Sequence, residues 1–353
     1  MAEQMTMAVF TAPGEIEYRK IARPEPQPHQ VLVRLKAAAI CTVEQRAWAG
    51  GRAGMGYPFV GGHEVSGEVV AVGDKVLQDF KPGDKIVLGV GSDCGACFYC
   101  RRGENQRCVY GWDIYGQYVE QYVDIRGMWG FSEYRVVNEN ELFKAQGDTP
   151  FEELALAEPL ACVIHSMRML DIRLGDDMVI IGAGPMGMLN MLVGNRLGAR
   201  TIVSELQPAR LEKALQMGAH AVVNAAEEDA VEKVKALTGG RGAKFVIAAI
   251  GSGAVNEQAM GMLDRGGRFV LFASAHPGAP LELDPNKVHS KEYVISGTVG
   301  KDPEDLRIAA KMLSQGMIDV GPLVETTLPF DRLGEALDLA SQPNTYRVVV
   351  VMD

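Results

Sequence analysis

Hydrophobic positions over residues 6–100 come in short bursts divided by glycine, proline and aspartate. Val31 to Ala39 alternates small or apolar residues with Arg34 and Lys36, then delivers Cys41. Val65 to Val72 is a second burst, stopped by Gly73-Asp74. Lys81-Pro82-Gly83-Asp84 reads as a turn, and Ile86 to Val90 resumes the pattern. Bursts of this length bounded by turn residues predict strands. Pro24-Glu25-Pro26-Gln27-Pro28 predicts an extended connector. Nothing in this stretch alternates with helices, so a β-rich, barrel-like domain is expected. From Leu154 the period changes. Strands at Met178 to Ile181, Thr201 to Glu205, Ala221 to Val223, Phe245 to Ile250 and Arg268 to Ala273 alternate with helices. Those helices run to about Leu197 and over 208–217, 228–237 and 254–263. Such alternation predicts an α/β domain with a parallel, doubly wound sheet. After about Tyr293 the alternation breaks. A helix over 303–315 and a final strand from Tyr346 to Met352 are expected, with no internal repeat.

The chain has 353 residues, too many for one ordinary core, so two domains are expected. Hydrophobic content of 47% and charge of 23% fit a globular chain. No apolar run approaches the roughly 18 residues of a membrane helix. Met1 to Phe10 lacks a basic region followed by an apolar one, so no signal peptide is expected. The formal net charge of −10 disfavours nucleic acid and anionic membrane surfaces as partners.

Four of the six cysteines fall in one loop, as Cys94-x2-Cys97-x2-Cys100-x7-Cys108. Four thiolates with no other ligand predict a closed tetrahedral zinc site, which is structural. Metal binding in a reducing cytosol suits this spacing better than a disulfide framework. A second set is scattered. Cys41 ends a strand. His63 and Glu64 stand at the mouth of another, flanked by Gly61, Gly62 and Gly67. Glu158 and Cys162 lie far downstream. Sulfur, nitrogen and oxygen donors together are what zinc prefers in an open, catalytic site. Taken singly, Cys41 reads as a small buried residue and His63 as a core histidine.

Gly182-Ala183-Gly184-Pro185-Met186-Gly187 follows an apolar strand and opens a helix, and Glu205 ends the next strand. Glycines there allow a tight turn and close approach to a pyrophosphate, which the helix N-terminus favours. Glu205 is expected to accept from both ribose hydroxyls of NAD. Arg210 either stacks on the adenine or is a solvated helix residue. Met186, Met188 and Met191 also read as core filler. Residues 109–134 hold Tyr110, Trp112, Tyr115, Tyr118, Tyr122, Trp129, Phe131 and Tyr134. They either pack under a long loop or wall a substrate pocket.

Together these motifs resemble the zinc-dependent medium-chain dehydrogenases of the alcohol dehydrogenase superfamily, over nearly the whole length. The resemblance rests on Gly62-His63-Glu64 with Val65-Ser66-Gly67-Glu68-Val69-Val70, on the four-cysteine lobe, on Gly130-Phe131-Ser132-Glu133-Tyr134 and on Gly182 to Gly187. Glu158-Pro159-Leu160 is more similar to the polyol (sorbitol) and threonine branch than to the simple alcohol branch. The resemblance implies a GroES-like catalytic domain over 1–155, with a structural zinc lobe over 93–109. It implies a Rossmann domain over 156–294 and a return to the catalytic domain over 295–353. It implies Cys41 and His63 as zinc ligands, and Glu158 as third ligand, directly or through water. Glu64 is implied as an alternate ligand or supporting partner. Cys162 stands where simple alcohol dehydrogenases carry their third ligand. One departure concerns the proton. The family commonly has a hydroxyl two residues after the first ligand, but this chain reads Cys41-Thr42-Val43-Glu44. Val43 cannot relay, and Arg46 cannot act as a neutral base. Thr42 and Glu44 are the remaining candidates.

The expectation is a cytoplasmic enzyme with NAD and two zinc ions per chain. It would pass a hydride from a secondary alcohol to NAD, the substrate being a polyol, cyclitol, sugar or amino alcohol. Its partner is that small molecule, with no nucleic acid or membrane, in a homo-oligomer, tetramer or dimer. The alternatives are an NADPH-dependent ketone reductase and a non-catalytic NAD-binding relative.

Overall fold

The computed structural model describes residues 3–51, 56–89, 93–111, 113, 125–275, 278 and 281–352. Two compact units emerge. One comprises Met1–Ala161 with Lys301–Asp353, and the other Cys162–Gly300.

The first unit opens with β1 (Gln4–Ala12) and β2 (Glu15–Ala22), an antiparallel hairpin. β3 (Gln30–Ala39), β4 (Glu64–Val72), β5 (Lys85–Leu88), β6 (Tyr134–Asn138) and β7 (Leu142–Lys144) follow. The second unit holds β8 (Asp177–Ile181), β9 (Arg200–Glu205), β10 (Ala221–Asn224), β11 (Ala243–Ala248), β12 (Leu263–Leu271) and β13 (Val294–Gly297). The chain then returns to the first unit with β14 (Val324–Pro329) and β15 (Arg347–Val351).

Seven strands form the sheet of the first unit, in the order β14-β15-β3-β4-β5-β7, with β6 also on β3. β3 is central because both its faces are covered, and Val31, Val33, Leu35 and Ala38 sink into one core. Phe10, Phe59 and Phe131 stack within that core at ring separations of 4.8 and 6.1 Å from Phe10. β15 pairs antiparallel with β3 over Ala37–Ala39, so residues from the far end of the chain complete this unit. A second, smaller cluster gathers Met5, Met7, Val60, Ile125 and Trp129.

The second unit is a six-stranded, wholly parallel sheet in the order β10-β9-β8-β11-β12-β13. This is the 3-2-1-4-5-6 order of a doubly wound fold. Strands covered on both faces read as unbroken apolar runs. Met178, Val179, Ile180 and Ile181 of β8 accordingly show no alternation in burial. Proline opens several helices, including Pro185–Arg196 and Pro208–Gln216, where its missing N–H costs nothing.

The α/β class, the β-rich first part and the doubly wound second part agree with the sequence pattern. Three details differ. A helix, Thr42–Trp48, interrupts the strands of the first part, because Glu44 accepts the Cys41 N–H and caps it. The lobe from Cys94 to Cys108 contains two short 3-10 turns, Cys100–Arg102 and Asn105–Arg107. The C-terminal stretch carries β14 and the helix Leu333–Ala340 besides the expected final strand. Among the aromatics of 109–134, Trp112, Tyr115, Tyr118 and Tyr122 lie outside the described residues. Trp129 and Phe131 are core, and Tyr110 is 54% exposed. No helix among the described residues is long and apolar enough to cross a membrane.

Candidate functional site

β3 ends one residue short of Ile40, and the chain turns into the helix Thr42–Trp48 at Cys41. Residues 61–63 lead into β4 beside it. Two glycines make this possible. Gly62 sits at φ +86°, and a Cβ there would lie 2.8 Å from the Gly130 carbonyl carbon. A Cβ on Gly130 would lie 2.5 Å from the Gly62 oxygen. The two segments cross backbone to backbone, with Gly130 N–H and Phe131 N–H donating to the carbonyls of Gly62 and Gly61. His63 and Glu64 are thereby held against the core.

The result is a group of three donors. Ligand atoms of Cys41, His63 and Glu64 lie within 4.8 Å of one another, with His63 and Glu64 buried. The resemblance implies Glu64 as an alternate ligand or supporting partner and Glu158 as third ligand, directly or through water; the group within 4.8 Å includes Glu64 and neither Glu158 nor Cys162. Glu158 lies on the helix Ala157–Arg168 and accepts an ion pair from Lys301 Nζ at 2.6 Å, both side chains being largely buried. It remains close enough for its charge to act on Glu64 and on Arg347. Cys162 follows one helical turn later.

Glu44 supports the group from beneath. Its Oε1 accepts from Gly62 N–H at 3.1 Å and faces His63 Nδ1 at 2.8 Å, and its Oε2 accepts from Cys41 N–H at 3.2 Å. With Nδ1 engaged, His63 offers Nε2 as its free donor. Burial disfavours a charged His63, but Glu44 and the Cys41 sulfur outweigh it and hold His63 well above its usual range. Burial also lifts Glu44, and the facing His63 reverses this, leaving the carboxyl below its ordinary value. Glu64 is pushed up to about 7, by burial first, against the attraction of Arg347. Glu44 is thus a filled, buried carboxylate that orients a ligand, and it is badly placed to carry a substrate proton. The Thr42 hydroxyl lies 4.0 Å from Cys41 Sγ.

The donor set fits zinc. It combines soft sulfur, imidazole nitrogen and carboxylate oxygen, and Glu64 Oε2 is buried with no hydrogen-bond partner among the described residues. An oxygen in that state is open to an ion or a water.

The four cysteines of the lobe also converge, within 4.8 Å. Cys97 Sγ and Cys100 Sγ are 3.4 Å apart and Cys94 Sγ and Cys100 Sγ 3.9 Å, far beyond a bonded pair at about 2 Å. Backbone N–H groups of Cys94, Cys97 and Cys100 point at the sulfurs of Cys108, Cys94 and Cys97. Such donors favour thiolates, and the N–H of Cys100 chiefly brings the Cys97 thiol down to about 6. Thiolates are what zinc binds.

In the second unit the turn Gly182–Gly187 joins β8 to the helix Pro185–Arg196. Gly182 has φ +100°, and a Cβ on Gly187 would lie 1.8 Å from the Gly182 oxygen, so helix and strand meet only through glycine. Around Gly184 the space is open, with Arg210 Nη1 at 3.7 Å from a built Cβ. No side chain caps this helix, and the N–H of Met186 and Gly187 stand in its first turn. That geometry fits a dinucleotide pyrophosphate. Met188 and Met191 are buried, as core filler should be. Glu205 departs from the simplest expectation. Its Oε2 accepts from Ala183 N–H at 2.9 Å, and its Oε1 from Leu206 and Gln207 N–H at 2.7 and 3.2 Å. A carboxylate has about four acceptor sites, so about one is left for a ribose, not two. Arg210 Nη1 is 3.9 Å from Glu205 Oε2.

Comparison with known proteins gives this geometry its family. Residues 27–147 match the alcohol dehydrogenase GroES-like domain, and residues 185–315 match the zinc-binding dehydrogenase domain. Over the full length of both proteins the chain is 31% identical to an L-threonine 3-dehydrogenase of Pyrococcus horikoshii. The chain belongs to the zinc-type medium-chain dehydrogenases. Within the family it falls in the polyol and threonine branch. It is 28% identical to a sorbitol dehydrogenase of Bacillus subtilis, covering 96% of this chain and 94% of that one. A zinc-binding dehydrogenase of Sinorhizobium meliloti, solved bound to NADP, superposes with a TM-score of 0.87 at 25% identity, over 99% of each chain. This dehydrogenase is therefore an oxidoreductase of the zinc-type alcohol dehydrogenase family.

Little in the sequence marks Arg347 or Lys301 as site residues, although they are the two cations nearest the buried carboxylates. Arg347 opens an apolar strand where a charge is out of pattern. That break in the Val348–Val351 run was the available signal.

Proposed function

We propose that this dehydrogenase oxidises a secondary alcohol of a polyol, cyclitol, sugar or amino alcohol with NAD, at a metal centre made by Cys41, His63 and Glu64. The observation that carries the reading is the group of sulfur, nitrogen and oxygen donors, His63 and Glu64 buried and Cys41 partly so, with its unpartnered Glu64 Oε2. When bound, zinc supplies Lewis-acid polarisation of an alcohol oxygen, and NAD supplies the hydride acceptor. The chain's own residues do the rest. Glu44 fixes the His63 ring so that Nε2 faces the centre. Val43 has no hydroxyl, and both oxygens of Glu44 are engaged. Thr42, with its hydroxyl 4.0 Å from Cys41 Sγ, and Glu158, ion-paired to Lys301 Nζ, are the groups left to take up the hydroxyl proton. The four-cysteine lobe holds the second, structural zinc. The turn Gly182–Gly187 receives the cofactor pyrophosphate, and Glu205 accepts one ribose hydroxyl.

A ketone reductase using NADPH is the second reading, and Arg210 beside Glu205 favours it, since an arginine there would pair with a 2′-phosphate. Purified, zinc-loaded protein should be screened with NAD and with NADP over polyols, inositols, aldonates, threonine and simple alcohols. Turnover of a polyol or amino alcohol with NAD supports the proposal, and turnover of simple alcohols alone removes it.

We place the enzyme in the cytoplasm as a homodimer or tetramer. β13 is an edge of the parallel sheet, Val294 is 43% exposed and Val299 81% exposed. An apolar edge of this kind calls for a second copy. Light scattering at micromolar concentration should show at least twice the chain mass, and a monomer would remove the proposal.

A further inference from the structure

Arg347 stands at the start of β15, buried to 4% exposure. Its Nη2 donates to Glu64 Oε1 at 2.7 Å, and its Nη1 donates to the carbonyl of Ile40 at 3.1 Å. Ile40 precedes Cys41, and Glu64 follows His63. One planar guanidinium therefore ties together the two segments that bring Cys41, His63 and Glu64 into a group. Guanidinium is always charged and holds its donors in a rigid fork, so both contacts are fixed at once. The grip falls on one carboxylate oxygen only. Oε2 of Glu64 is left buried and without a hydrogen-bond partner among the described residues.

The geometry points to Arg347 as the positioning residue of the metal centre, holding Glu64 by Oε1 so that Oε2 is left to the metal, and fixing the Cys41 segment to the same point. The inference rests on the reading of Cys41, His63 and Glu64 as a metal site. A merely structural arginine would neutralise the Glu64 charge and stabilise the fold, but would leave metal affinity unchanged in molecules that are folded.

The test uses the full-length chain with zinc, and with cobalt for its spectrum. Affinities at the two sites are read by competition with a chromogenic chelator, and cobalt d–d absorption reports the geometry of the three-donor centre. Thermal melting of each variant reports folding. Wild type should take two equivalents. Arg347→Met should lose affinity for one of them by about 10–100-fold, as outer partners of metal ligands do, and should alter the cobalt spectrum. The four-cysteine equivalent should stay. Arg347→Lys, which keeps charge but not the fork, should recover part of the loss and tests the inference even if the methionine variant does not fold. In a Glu64→Gln background the Arg347 substitutions should cost clearly less affinity than in the wild-type background, because the hold on the Glu64 carboxylate is gone and chiefly the one on the Ile40 carbonyl remains. Wild-type affinity and spectrum in both Arg347 variants would overturn the inference while leaving the metal site standing. An equal loss in the Glu64→Gln background would overturn it too, since Arg347 would then act without Glu64. A single equivalent in wild type would remove the metal reading itself, and the inference with it.

Discussion

His63 Nδ1 and Glu44 Oε1 face each other at 2.8 Å in a setting where Glu44 is 1% exposed and His63 8%. Glu44 also gathers the N–H groups of Cys41 and Gly62. One carboxylate thus braces both Cys41 and His63. Glu44→Gln keeps the shape and loses the charge. Zinc affinity at this centre should fall about 10–100-fold, read by chelator competition, with the lobe zinc retained. Unchanged affinity would show that the carboxylate orients nothing.

Metal binding at this centre should strengthen as pH rises. Glu64 lies at about 7 in the metal-free chain, above its ordinary 4.5, and His63 is also raised. Both hold protons that a metal must displace. The sign for stability follows. A raised folded value stabilises below the unfolded one, and that contribution is lost as pH climbs through about 7 for Glu64. Lowered Glu44 acts oppositely, losing its contribution only as pH falls below its ordinary range. The melting temperature of zinc-stripped protein should therefore drop between about pH 5 and pH 8 relative to zinc-loaded protein. A constant gap between the two would refute the assignment of these protons.

Cys97→Ser should strip the lobe of its metal. Structural zinc sites contribute about 10 kcal/mol or more in small fingers, and here the lobe is also tied down by Gln106 N–H on Asp302 Oδ1. The variant should bind one zinc and gain protease sensitivity over residues 94–108, keeping the other centre. Two zincs and wild-type melting would mean that the four sulfurs hold no metal.

Cofactor preference is expected to be modest. Glu205 spends three acceptor sites on backbone, so its discrimination against a 2′-phosphate comes from charge, with Arg210 opposing it. Each tenfold is about 1.4 kcal/mol. Arg210→Ala should raise the NAD over NADP ratio of kcat/KM by about tenfold, on the scale of one charge-assisted hydrogen bond. An unchanged ratio with a higher KM for both cofactors would place Arg210 on the adenine that they share instead.

How much was legible in advance divides by distance along the chain. The lobe was plain, because four sulfurs within fifteen residues leave few arrangements other than a metal site. The dinucleotide turn was plain because glycine is required where Gly187 meets the Gly182 oxygen. The scattered site was less plain. Glu158 and Cys162 advertise themselves by helical spacing, but Lys301 draws Glu158 into an ion pair, and Arg347 holds Glu64 near Cys41 and His63. Both cations come from beyond the inserted unit. Contacts made across more than a hundred residues leave no local pattern to read. The helix at Thr42 was missed for a related reason. Seven residues with few apolar repeats carry a weak periodic signal, and the cap that fixes it is a glutamate also required by His63.

The pairing of β15 with β3 has a consequence for how the molecule is made. A ribosome delivers β3 and β4 early, with Cys41, His63 and Glu64 already on them, but β15 is translated only after the whole inserted unit has emerged. Until then the β3 edge has no strand beside Ala37–Ala39, and Glu64 lies beside no guanidinium. Domains commonly mature in order of synthesis, yet here the sequence-central unit is the first whose strands are all present. A nascent chain would therefore carry all four cysteines of the lobe before the inserted unit is made, but would hold Cys41, His63 and Glu64 together with Arg347 only after it.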